Sequence, residues 1–135
     1  MKAVETANNK GKNIEALTST IAYEIVSKGI LNESEINKLL GVLTNNGVYA
    51  MWVYAQANFK NEKISEFARR IEEIPPLSDF SKDEGTPKES KRIERVNNNL
   101  REISENLPQL LLLKQLLEKT LTYARYHAKA SGDKK

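Results

Sequence analysis

Ile14, Leu17, Ile21 and Ile25 recur at the spacing that places side chains on one face of a helix. The same spacing returns in Ile36, Leu39, Leu40 and Leu43, and again in Val48, Trp52, Ala55 and Phe59. It returns in Ile64, Phe67, Ala68 and Ile71, in Ile93, Val96, Leu100 and Ile103, and in the leucine-rich run that follows Pro108. No segment alternates polar and apolar residues as a half-buried strand would. Six Gly and four Pro in 135 residues are too few for a turn-rich β fold. The pattern predicts an all-α chain: one bundle of five to six helices over residues 13–130, with polar, flexible tails at 1–12 and 131–135.

Local signals place the boundaries. Asn13 is the expected N-cap of the first helix and Gly29 its left-handed stop. Asn32 with Glu35 reads as a capping box for the second. Asn45, Asn46 and Gly47 tolerate left-handed geometry and mark a tight break. The third helix, Val48–Asn58, follows at once. Tyr49, Val53, Tyr54 and Ala57 make it apolar nearly all round, so it is central to the core or shared with a partner. Pro75 and Pro76 end the fourth helix. Residues 75–87, PPLSDFSKDEGTP, form the one clear loop, long enough for a bundle to be either mobile or docked. A fifth helix is expected over about 88–105, and Pro108 suits the first position of a sixth, over about 108–130.

Chemistry is excluded more readily than assigned. The chain has no Cys, which removes disulfides, thiolate metal sites and thiol nucleophiles. Its one histidine, His127, projects onto the flank of the sixth helix beside Leu116 and Tyr123, where a half-buried structural role outweighs that of a general base. There is no HExxH, no calcium-loop pattern and no glycine-rich phosphate fingerprint. Glu72-Glu73 and Asp83-Glu84 are adjacent pairs that diverge by about 100° on a helix and make no site. These absences predict a non-enzyme without metal or cofactor. The longest aliphatic run, residues 110–113, is far short of a membrane span, and the first residues lack the apolar core of a secretory signal. A soluble, cytoplasmic protein is expected.

The net charge of +3 is unevenly distributed. Residues 88–135 carry 11 basic and 6 acidic side chains, a net of +5, whereas residues 1–87 carry 10 and 12, a net of −2. On the sixth helix, with Lys114 at zero, Arg125 falls near 20°, Glu118 near 40° and Lys129 near 60°, at about 100° per residue. Thr122, Gln115 and Tyr126 continue that side. Leu110, Leu113, Leu117, Leu121, Ala124 and Ala128 lie opposite. Lys114, Arg125 and Lys129 are therefore candidates for a phosphate-contacting strip, with Tyr126 beside them to stack on a base or sugar and Arg95 of the fifth helix as a further cation. An ordinary solvated face is the competing reading. Leu111 breaks the polar side and, with Tyr49 and Val53 of the third helix, is a candidate for contact between subunits. Trp52 reads as core, and Asn97, Asn98 and Asn99 as polar surface, with contacts to a sugar–phosphate backbone as the functional alternative.

Two segments also carry a resemblance. Residues 40–57, LGVLTNNGVYAMWVYAQA, join a helix to an apolar helix through an Asn-Gly break, and residues 107–130, LPQLLLLKQLLEKTLTYARYHAKA, form a long leucine-rich helix ending in aromatics and cations. Together they resemble the small helical subunit of type III-B (Cmr) CRISPR effector complexes. The small subunits of type III-A and type I-A complexes are similar helical bundles. The resemblance spans about residues 14–130, and Asn46, Gly47 and Arg125 fall inside its matched motifs. It implies a non-catalytic subunit of an antiviral, RNA-guided complex. Copies would stack head to tail beside the guide-RNA backbone and line the channel for the guide–target duplex or displaced strand. Implied partners are the other effector subunits, further copies of the chain, and CRISPR RNA with target RNA or a displaced DNA strand, with no membrane.

Two alternatives come from other classes. A free-standing adaptor or homodimer would use the third and sixth helices as its contact surface. A helix-turn-helix DNA reader would use the Asn45-Asn46-Gly47 turn, but the would-be recognition helix, GVYAMWVYAQA, has no charge with which to read base edges.

Overall fold

The computed structural model describes residues 2–80 and 89–132, and the side chains of 14–80 and 91–132. Six α-helices follow one another: α1 (Lys2–Ser27), α2 (Glu33–Asn46), α3 (Val48–Asn58), α4 (Asn61–Ile71), α5 (Glu89–Ser104) and α6 (Leu107–Gly132). There is no strand among the described residues. Helix α6 packs chiefly on α1 and α2, and α4 on α5, while α3 touches α2, α4, α5 and α6.

The helix ends show how sequence sets the breaks. Gly29 adopts φ 68°; its N–H bonds to the Val26 carbonyl at 3.1 Å and that of Ile30 to the Ile25 carbonyl at 2.9 Å. This doubly bonded left-handed stop turns the chain, and Ile25 and Ile30 are both buried around it. The Asn32 side chain accepts from Glu35 N–H at 2.8 Å and the Glu35 carboxylate accepts from Asn32 N–H at 2.9 Å, the reciprocal cap expected. Gly47 closes α2 and opens α3 at φ 100°, ψ 179°, a conformation essentially confined to glycine.

Three boundaries depart from expectation. Helix α1 begins at Lys2, so Asn13 lies inside it and not at its start. Helix α6 begins at Leu107, with Asn106 as its cap: the Asn106 side-chain oxygen accepts from Gln109 N–H at 3.2 Å, and Pro108 takes the second helical position. The segment expected as a loop from Pro75 starts instead with a docked 3-10 turn, Leu77–Phe80, whose Leu77 is fully buried. Leu77 supplies an apolar anchor that the surrounding prolines and acids obscure in the sequence. Residues 81–87 of that segment, with Asp83 and Glu84, lie outside the described residues.

The core runs from Ile21 and Ile25 through Ile36, Leu39, Leu43, Trp52, Phe67, Ile71, Val96 and Leu100 to Leu117 and Leu121. Burying each such side chain contributes about 1.5–3 kcal/mol. Helix α3 is central to the core on one side only. Val48, Met51, Trp52 and Ala55 enter the core, while Tyr49 and Val53 stay exposed. Trp52 donates its indole N–H to the Asn97 side-chain oxygen, which ties α3 to α5. Asn97 is thus a structural partner, not free polar surface. Arg70, buried in α4, reaches Glu24 of α1 at 3.2 Å.

Candidate nucleic-acid interface

Helix α6 buries Leu113, Leu116, Leu117, Thr120, Leu121 and Ala124. The Thr120 hydroxyl is satisfied by the Leu116 carbonyl at 2.8 Å, so one apolar row, polar only in name, faces the bundle. The opposite side is left to solvent, and its two flanks differ in character.

On the flank toward α2, Arg125 and Lys129 stand one turn apart and form one wall of a groove of about 500 Å³. Asn37, Gly41, Thr44 and Asn45 of α2 form the other wall, above Leu40. No acidic residue lines this groove. The Arg125 guanidinium lies 5.7 Å from the Tyr126 ring centroid, and Tyr126 itself is exposed. Arg125 Nε is shut off from solvent and has no hydrogen-bond partner. Among the described residues neither Arg125 nor Lys129 enters an ion pair.

A larger groove of about 750 Å³ lies where Gly29 meets the start of α4. It is lined by Lys28, Lys60 and Lys63 but equally by Glu35, Glu62 and Glu66, and Lys63 is already bound to Glu35 at 2.8 Å. Its charges cancel, so it offers an anion no net field. The smaller, acid-free groove is the stronger candidate.

The flank of α6 toward α1 carries a solvent-exposed polar seam. Glu15 accepts from Lys119 Nζ and from the Tyr123 hydroxyl, both at 2.6 Å. These two bonds hold the Glu15 carboxyl below its ordinary pKa, and the Glu15 bond raises both Lys119 and Tyr123. Further along, His127 meets Tyr23 edge-on at 5.7 Å between ring centroids. It is half-buried there, as expected.

The cations named from sequence separate into three situations. Arg125, Lys129 and Tyr126 come together at the groove. Lys114 lies on the same face about 16 Å away along the helix axis, 3.9 Å from Glu118, a long surface pair worth at most a few tenths of a kcal/mol. Arg95 does not belong with them. Its Nε and Nη2 fork onto buried Glu72 at 2.8 and 2.9 Å, so its role is to neutralise that carboxylate between α4 and α5. Asn37, Gly41, Thr44 and Asn45 were missed as site residues, because only the docking of α2 beside α6 gives them a common wall. The absence of charge on the exposed end of α2 was the one available signal.

Tyr49, Val53 and Leu111 are exposed as the contact-surface reading requires, and Leu107 and Leu112 join them as exposed apolar residues that the sequence projection passed over. Glu73, the neighbour of Glu72, reaches the surface, but the protein around it removes part of its water; that desolvation and repulsion from Glu24 raise its pKa, against the attraction of Arg70 and Arg69. Among the described residues no cluster of three His, Asp or Glu could hold a metal, and no helix is long and apolar enough to cross a membrane. No protein-family model, curated protein or solved structure matches the chain.

Proposed function

We propose that this chain is a non-catalytic small subunit of a CRISPR RNA-guided interference complex, working in the cytoplasm. Copies stack beside the guide-RNA backbone and contact nucleic-acid phosphates through the α6 face that carries Arg125 and Lys129. The observation that carries the reading is the acid-free groove: Arg125 and Lys129 stand one turn apart, in no ion pair among the described residues, beside an exposed tyrosine. Phosphate contacts of this kind supply affinity without sequence readout. One groove per chain supports weak binding, so stacking of copies is what makes the contact effective. The resemblance of residues 40–57 and 107–130 to the Cmr small subunit supplies the complex in which such stacking would occur. The test is RNA binding by the assembled complex with Arg125→Glu and Lys129→Glu introduced together. Affinity at low salt should fall; unchanged affinity would remove the groove from the reading.

A second reading, a protein–protein adaptor or homodimer without nucleic acid, is favoured by the exposed Tyr49, Val53, Leu107, Leu111 and Leu112. A homodimer that purifies free of RNA and of other subunits would select it.

A further inference from the structure

Gly41 sits in the interior of α2, where alanine would make the helix more stable by about 1 kcal/mol. Its φ is not among the positive ones, and a Cβ built on it would meet nothing within 4 Å. Neither backbone geometry nor packing within the chain asks for glycine. A side chain at Gly41 would instead stand in the groove opposite Arg125 and Lys129. No acidic residue lines that groove, so the two cations are not neutralised within it. Cations beside the last turn of a helix can also serve as caps for its carbonyls. No hydrogen bond from Arg125 or Lys129 to the end of α2 plays that part here among the described residues.

We propose that the α2–α6 groove seats one backbone phosphate of a single-stranded nucleic acid. This deepens the function proposed above and rests on it. Arg125 and Lys129 hold the phosphate. Asn37, Thr44 and Asn45 offer neutral hydrogen bonds to the sugar on either side. Gly41 leaves room for the strand to lie against α2. Tyr126, exposed next to Arg125, stacks on an unpaired base, which a duplex would not present. The absence of base-edge readers at the groove makes the contact independent of sequence.

The test is fluorescence anisotropy of a short oligouridine with the full chain at low salt. Gly41→Leu fills the groove while leaving every charge in place, and its better helix propensity keeps the protein folded, which a thermal melt verifies. Gly41→Leu should weaken binding about tenfold, the loss of roughly one charge-assisted contact, while Gly41→Ala keeps most of the affinity. If Gly41→Leu binds as the wild type does while Arg125→Glu with Lys129→Glu does not, the groove is overturned and the α6 face survives. If all variants bind alike, or the wild type does not bind at millimolar protein, both fall. Displacement of the oligouridine by polyglutamate at matched charge would assign the groove to acidic protein and overturn the nucleic-acid occupant.

Discussion

The Trp52 indole donates its N–H to the Asn97 side chain, so the most buried aromatic of α3 depends on one residue of α5. An indole N–H enclosed in apolar surroundings without a partner loses about 1–3 kcal/mol. Asn97→Ala should therefore destabilise the protein by about that amount in urea denaturation, while Asn98→Ala, at an exposed position, should change little. Equal midpoints for the two variants would refute the tie.

Arg95 gives a separable prediction. Removing it leaves Glu72 buried with its main partner gone, which costs about 3 kcal/mol or more. Arg95→Ala should lower the melting temperature sharply and spare nucleic-acid affinity in the molecules that remain folded. A folded, stable Arg95→Ala with reduced affinity would return Arg95 to the interface.

The two glycines of α2, one in its interior and one at its C-terminal cap, should respond in opposite directions. Gly47→Ala forces a side chain into φ 100°, ψ 179° and should cost about 1–3 kcal/mol. Gly41→Ala removes a helix-weakening residue and should stabilise by up to about 1 kcal/mol. Denaturant midpoints of the two variants decide the matter, and a loss at Gly41 would mean that the chain itself needs glycine there.

The seam between α1 and α6 fixes a pH dependence. The folded pKa of Glu15 lies below its unfolded value, so its contribution is present above the ordinary carboxylate range and is lost as pH falls through the folded pKa. Lys119 and Tyr123 are raised, so theirs is complete below their unfolded values and is lost as pH rises through the folded ones. Glu15→Gln should return Tyr123 toward an ordinary phenol in a spectroscopic titration. The sign reverses at Glu73, whose raised pKa means that its charged form opposes folding. Glu73→Gln should stabilise at neutral pH, with the gain vanishing as pH falls below the carboxylate range.

Most of the architecture was legible in the sequence because it is written in local terms. Helical spacing alone identified the rows that Ile36, Ile64, Val96 and Leu117 bring to the core, and Gly29, Asn32 with Glu35, and Gly47 announced their own turns. What stayed hidden depends on tertiary neighbours. Leu77 needed a place in the core to turn a loop into a docked 3-10 turn. Asn97 needed Trp52, and Arg95 needed Glu72, before either could be told from surface. The candidate site divides in the same way. Arg125, Lys129 and Tyr126 follow from a helical projection, whereas Asn37, Gly41 and Thr44 acquire meaning only when α2 lies beside α6.

The central claim is tested most directly by sequencing the RNA that accompanies the protein when it is purified under native conditions from its own cells. The account predicts guide RNA carrying repeat-derived sequence, recovered together with other effector subunits and diminished by Arg125→Glu with Lys129→Glu. Recovery of the chain as a homodimer without RNA would contradict it.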